Sequence, residues 1–128
     1  MPRRKLFEMR VTMSIEIPKV LVTGASGFIG RHVIARLQLQ NCEIHAVSRK
    51  KPERDEDAVR WWNTDLTDFE RTRQMVEAVA PDRIIHLASQ VTGNRGVDFV
   101  MPVLQNNFLA AVHLMLAAIG LGGTRVIL

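Results

Sequence analysis

The chain has 128 residues, 47% of them hydrophobic and 23% charged, with a formal net charge of +4, one cysteine and no tyrosine. That composition suits one globular domain able to bury roughly two-thirds of its unfolded surface, which excludes an intrinsically disordered polypeptide. A disulfide scaffold is excluded as well, because Cys42 has no partner within the chain.

The charge is placed unevenly. Arg3, Arg4, Lys5 and Arg10 stand against Glu8, so the first 12 residues carry a net +3 of the total. A basic arm can bind nucleic acid or anionic lipid. The simpler reading is a poorly ordered leader over residues 1–17, or a start upstream of Met13, with no nucleic-acid partner. The segment lacks the apolar centre of a secretory signal. No uninterrupted run reaches the roughly 18 apolar residues that span a bilayer, and the run from Phe108 is broken by His113 and Gly120. The expectation is a soluble cytoplasmic protein with no membrane partner.

From residue 18 onward, short apolar runs alternate with helix-period stretches. Val20-Leu21-Val22, closed by Thr23-Gly24, predicts a first strand. Phe28, Ile29, Val33, Ile34 and Leu37 recur at helical spacing and predict an amphipathic helix to about residue 39. Glu43 to Val47 reads as a second strand, Arg49 to Asp57 as an exposed loop, and Val59 to Trp62 as a third strand that would house the tryptophans. Asp68 or Thr67 is placed to N-cap a helix running to about Ala80. Pro81-Asp82 stops it, and Arg83 to Leu87 follows as a fourth strand. After a loop rich in Gly and Asn, a long helix is expected from about Pro102 to Ile119, ended by Gly120, Gly122 and Gly123. Arg125 to Leu128 starts a fifth apolar run. Strands alternating with helices at this pitch imply right-handed parallel βαβ units. The fold class is therefore α/β, a doubly wound parallel sheet of strand order 3-2-1-4-5 over residues 18–128.

The segment Thr23-Gly24-Ala25-Ser26-Gly27-Phe28-Ile29-Gly30 lies where the first strand turns into the first helix. Gly24 permits a tight turn, Gly27 lets a diphosphate approach the backbone, and Gly30 allows the helix to pack closely. The helix N-terminus then offers free N–H groups and positive potential to phosphate. A P-loop would need Gly-Lys-Ser/Thr, and Gly30-Arg31-His32 does not supply it. The bland alternative is a tight turn that binds nothing. Expected cofactor contacts in the turn are Gly24, Ser26, Gly27, Phe28, Ile29 and Gly30.

With Thr before a G-x-x-G-x-x-G spacing, this segment resembles the short-chain dehydrogenase/reductase superfamily, and within it the extended, sugar-nucleotide epimerase/dehydratase branch. The resemblance covers residues 18–128 and implies a Rossmann-like domain that binds NAD or NADP. Four further segments support it. At the end of the second strand stands Ser48-Arg49-Lys50-Lys51, where an acidic residue would hydrogen-bond the ribose of NAD. A guanidinium at Arg49 suits a 2′-phosphate instead, with Ser48 adding a hydroxyl, so NADP is expected over NAD; a solvated basic loop is the alternative. Glu43 is acidic but lies at the wrong end of its strand. Asp65-Leu66 matches the pair that lies beside the adenine in similar proteins, although Asp65 is also a turn former. His86-Leu87-Ala88-Ser89 closes the fourth strand, where the small residues Ala88 and Ser89 let a dinucleotide pass, while His86 reads as a structural histidine. Asn106-Asn107-Phe108-Leu109-Ala110-Ala111 resembles the family's Asn-x-x-Gly-Thr stretch, with Asn107 either near the cofactor ribose or capping the helix. His32, His45 and His113 are scattered, and nothing pairs them as metal ligands.

Similar proteins carry a Ser or Thr after the fifth strand and a Tyr-x-x-x-Lys on the next helix, with a C-terminal lobe for the sugar nucleotide. No tyrosine occurs here, so no catalytic residue is assigned, and Ser89 is not promoted to that role. The expectation is an N-terminal part of a longer enzyme, binding cofactor without catalysing, and in full length acting on a nucleotide sugar and pairing as a homodimer through its last helices. A stand-alone NADP-sensing module and a non-binding interaction domain are the alternatives.

Overall fold

The computed structural model describes residues 16–50, 58–93 and 95–128. Residues 1–15 of the expected leader and 51–57 of the expected loop lie outside the described residues. Five strands, β1 (Lys19–Thr23), β2 (Glu43–Ser48), β3 (Val59–Asn63), β4 (Arg83–His86) and β5 (Arg125–Ile127), pair in parallel in the order β3-β2-β1-β4-β5. Parallel neighbours need crossover connections; α1 (Phe28–Leu37) leads from β1 to β2, α2 (Phe69–Val79) from β3 to β4 and α3 (Val97–Leu121) from β4 to β5, while residues 49–58 join β2 to β3. This is the order the sequence predicts. Winding reverses between β1 and β4, so the segments leaving these strands diverge and open a crevice at their C-terminal ends.

The strands are apolar on both faces because helices cover both. On one face Leu21, Val47 and Ile84 meet Met75, Val76 and Val79 of α2 and Leu114, Ala117 and Ala118 of α3. On the other, Val20, Val22, Ile44, Ala46 and Val59 pack with Ile34 of α1. Trp61 and Trp62 project to opposite faces of β3 and join these two cores, so neither forms a stacking platform. The Trp62 indole donates to His45 Nδ1 at 2.9 Å, while His45 Nε2 lies 2.8 Å from Glu43 Oε1. Asp68, rather than Thr67, caps α2, its Oδ1 accepting from the Arg71 N–H at 3.1 Å.

The last helix departs from the sequence reading in three ways. It starts at Val97, not Pro102, opening with a 3₁₀ turn over Val97–Phe99. Pro102 then falls in the short α-helical segment Val100–Val103, beyond the first turn, with the π-helical segment following directly after it. Between there and the regular helix Ala110–Leu121 lies a π-helical segment, Leu104–Leu109. The third departure concerns the membrane: an 18-residue stretch of mean hydropathy 1.4 makes this 25-residue helix long and apolar enough to cross a bilayer by length and composition. Counting unbroken apolar runs missed it, because averaging absorbs His113 and Gly120. In the fold its inner face is part of the domain core, with Leu114 fully buried.

Gly120 lies inside this helix, and a Cβ there would meet nothing within 4 Å. Gly120→Ala is expected to stabilise the domain by about 0.5–1 kcal/mol, through reduced chain entropy in the unfolded state. Urea denaturation would show it as a raised midpoint at unchanged slope.

Candidate cofactor site

The site begins at the turn leaving β1. Gly24 adopts φ +63°, and a Cβ on it would lie 2.7 Å from both Ala88 N and the Leu87 carbonyl carbon. The two segments that diverge at the switch point therefore touch, backbone against backbone, at this residue. Gly27 donates its N–H to the Gly24 carbonyl at 3.0 Å and forms the N-cap of α1, with no side chain capping the helix. Its positive end is thus left to an anion. Gly30 is buried under the turn: a Cβ there would stand 2.1 Å from the Gly24 carbonyl oxygen. Its close packing is against the turn itself rather than against the sheet.

Thr23, fully buried, holds the other side of the crevice. Its Oγ1 accepts from Ala88 N at 3.3 Å and from Leu87 N at 3.2 Å, the latter shared with the Thr23 carbonyl. The same hydroxyl lies 2.6 Å from His86 Nδ1. Burial pushes the His86 imidazole below its ordinary pKa.

Above the strand ends lies a cleft of about 610 Å³, in the range of small-molecule sites. Four walls contribute: Gly24, Ser26 and Gly27 from the turn; Val47, Ser48, Arg49 and Lys50 from the end of β2; Thr64 to Thr67 after β3; and Leu87 to Gln90 after β4, with Asn106 and Ala110 of α3 closing it. Ser26 Oγ and Ser48 Oγ are 3.1 Å apart, and Ser48 Oγ also accepts from Lys50 N at 3.3 Å. Asp65 Oδ1 accepts from the Thr67 N–H at 2.9 Å and the Thr67 hydroxyl at 2.8 Å. These bonds, with nearby Arg49, hold its carboxyl below the usual carboxylate range. Asp65 is thus a turn former that also faces the cleft.

Of the residues expected from sequence, Gly24, Ser26, Gly27, Ser48, Arg49, Asp65, Leu66, Leu87, Ala88 and Ser89 line this cleft together. Phe28, Ile29, Gly30 and Asn107 stand outside its lining. Phe28 and Ile29 point outward, 77% and 62% exposed, and the Phe28 ring meets His32 edge-on. Asn107 does not cap a helix; it sits in the π-helical segment, where its Oδ1 accepts from Gln90 N at 2.6 Å and its Nδ2 donates to Gln90 O at 2.9 Å. Asn106 donates to Gln90 Oε1 at 2.8 Å. Sequence reasoning missed Thr23 as a hub and Thr67, Gln90 and Asn106 as cleft residues. Only Asp65-Leu66-Thr67 carried a local signal, an Asx turn. Glu43 lies at the far end of β2, paired with Lys19 in register. His113 is buried separately, Nδ1 against the Leu66 carbonyl at 2.8 Å.

Residues 20–128 match the model of the NAD dependent epimerase/dehydratase family. The dTDP-4-dehydro-6-deoxy-D-allose reductase of Streptomyces bikiniensis is 36% identical over 106 residues, covering 75% of this chain and 32% of that protein. Among solved structures, UDP-glucose 4-epimerase of Thermus thermophilus in complex with NAD superposes with a TM-score of 0.75 at 26% identity, over 84% of this chain and 36% of that one. Uronate dehydrogenase of Agrobacterium tumefaciens gives 0.72 at 26% identity, over 86% and 39%. The chain spans about a third of the length of the Streptomyces bikiniensis reductase.

Proposed function

The chain belongs to the NAD dependent epimerase/dehydratase family, and from that premise we propose that it is the dinucleotide-holding part of an oxidoreductase or epimerase that prefers NADP to NAD. The observation that carries the preference is the end of β2, where Ser48, Arg49 and Lys50 line the cleft and no carboxylate stands among them. A guanidinium and a hydroxyl there can hold a 2′-phosphate, which a carboxylate would repel. The glycine turn and the uncapped N-terminus of α1 suit the diphosphate, and the Asp65 carboxylate suits the adenine amine as acceptor. When bound, the nicotinamide supplies hydride transfer. This chain's part is to bind and orient it. Without a tyrosine among its 128 residues, the chain holds no Tyr-x-x-x-Lys pair for proton transfer, so binding without turnover is proposed for it alone. The names of the dTDP-4-dehydro-6-deoxy-D-allose reductase and the UDP-glucose 4-epimerase support a nucleotide sugar as the substrate of the whole protein, while that of uronate dehydrogenase points to a free sugar acid. Exposed apolar residues on α3, Phe108 and Ile119 among them, offer a surface for pairing with a second copy.

Equilibrium titration with NADP⁺ and NAD⁺ tests the reading. NADP⁺ should bind at least about tenfold tighter, and Arg49→Ala should weaken it by about 10- to 100-fold while leaving NAD⁺ unchanged. That range corresponds to about 1.5–3 kcal/mol for a charge-assisted pair. Equal affinity for both dinucleotides, with Arg49→Ala indifferent, would overturn the preference.

A further inference from the structure

His86 lines neither the cleft nor any other described cavity, yet its ring nitrogen ends a chain of bonds that reaches the cleft wall. We propose that His86 is a positioning residue whose protonation state sets how tightly the cleft holds a dinucleotide, acting through the Thr23 hydroxyl. The inference rests on the reading that this cleft is a dinucleotide site.

Proton counting supplies the argument. A threonine hydroxyl has one proton and two acceptor positions. The Leu87 and Ala88 amides occupy the acceptor positions of Thr23 Oγ1. Its own proton is therefore directed to His86 Nδ1 at 2.6 Å, which makes Nδ1 an acceptor and places the neutral ring's proton on Nε2. Protonating His86 puts a hydrogen on Nδ1 as well. Thr23 Oγ1 would then face three donors with two acceptor positions, and its hydroxyl proton would lose its acceptor. The arrangement relaxes by releasing one of the loop amides: the Leu87 amide passes wholly to the Thr23 carbonyl, 3.3 Å away, which re-aims the peptide and the Ala88 that follows it. Those amides belong to Leu87 and Ala88, which line the cleft and bear directly on Gly24 of the phosphate turn. A neutral His86 keeps both walls in register; a charged one loosens them.

Among the described residues, the elements around His86 bring no countercharge to it. In β1 its register partner is Thr23, and Lys19 lies at the opposite end of that strand. In β5, Arg125 pairs with Arg83 at the far end of β4. On α3, His113 is engaged with the Leu66 carbonyl, and on α2, Glu70, Arg73 and Glu77 pair with one another on the exposed side. Burial alone lowers the His86 pKa, so the neutral form holds at pH 7 and the charged form enters below the ordinary histidine range.

The test is NADP⁺ affinity of the chain and of His86→Asn between pH 7.5 and 5. An asparagine oxygen can accept from Thr23 and cannot be protonated in this range. Because the 2′-phosphate itself titrates near pH 6, the readout is the ratio of the two dissociation constants. That ratio should be near one at pH 7.5, and wild type should weaken relative to the variant by about tenfold on acidification, equivalent to one unit between the His86 pKa values of unliganded and liganded chain. Thr23→Ser should keep the acid step. Wild type and His86→Asn with identical pH profiles would overturn the inference while leaving the cofactor reading standing; failure to bind NADP⁺ or NAD⁺ at any pH overturns the cofactor reading itself. Should His86→Asn not fold, the Ala88 amide resonance of unliganded wild type decides. It must shift with the same midpoint as the His86 ring, and an independent course refutes the coupling.

Discussion

Gly30→Ala is expected to abolish dinucleotide binding and to cost the domain about 3 kcal/mol or more, the upper end of overpacking losses. The new Cβ would stand 2.1 Å from the Gly24 carbonyl oxygen and 2.7 Å from the Ala25 Cα. Both are backbone atoms, and neither can swing aside as a flexible side chain would. Relief requires α1 to lift off the turn, which withdraws Ile34 from the core and misaligns the N–H groups at the helix start. Domains of this size are stable by only about 5–15 kcal/mol, so the loss is a large fraction of the total. Gly24→Ala should be of similar severity for a different reason. Its φ of +63° adds about 1–2 kcal/mol of left-handed strain to a collision with Leu87 and Ala88. Gly93→Ala, where a Cβ meets nothing within 4 Å, is the control. Urea denaturation and NADP⁺ titration of the three variants check the claim. A Gly30→Ala protein that binds normally at wild-type stability would show that the turn is not the close-packed element described.

The second large effect is on selectivity. Ser48→Asp should shift the ratio of NADP⁺ to NAD⁺ affinity by about a thousandfold, roughly 4 kcal/mol, toward NAD⁺. Two contributions add. A carboxylate at the end of β2 repels the 2′-phosphate and draws away the Arg49 guanidinium that would pair with it. The same carboxylate accepts from the ribose hydroxyls that NAD exposes. Ser48 already stands between Ser26 Oγ and the Lys50 N–H, so both can donate to the new oxygens and little rearrangement is needed. Parallel titrations with both dinucleotides at fixed ionic strength give the ratio, and an unchanged ratio would mean that the ribose lies elsewhere in the cleft.

Much of this arrangement was legible in the sequence because the fold punishes alternatives. Strands buried on both faces must be apolar throughout, which made Val20 to Val22 readable, and a strand-to-helix turn with glycines at 24, 27 and 30 has few other uses. What escaped depends on contacts between distant residues. Nothing local to Asn107 says that it will bracket the backbone of Gln90, 17 residues earlier. Nothing local to Thr23 says that its hydroxyl will collect the Leu87 and Ala88 amides from the segment after β4. Phe28 and Ile29 sit in the motif yet face outward, because one side of a helix facing a turn leaves its other side to solvent. The start of α3 was misplaced because Pro102 reads naturally as a first helical residue, while the 3₁₀ turn ahead of it has no strong signature.

Adjacent residues of a regular helix point about 100° apart and do not share a target. Asn106 and Asn107 nevertheless both grip Gln90, which the wider π-helical turn allows. That turn acts as a phase slip in α3: Asn106 and Asn107 are turned to the loop after β4, Leu114, Ala117 and Ala118 to the core against α2, and Ala110 between them belongs to both cleft and core. Deleting one residue between 104 and 109 would let the segment close into a regular α-helix with its flanks still nearly in phase, yet it would remove the extra position that lets Asn106 and Asn107 both reach Gln90. With the slip in place, Asn106 and Asn107 on the cleft wall answer to a different constraint from Leu114, Ala117 and Ala118 in the core beneath it.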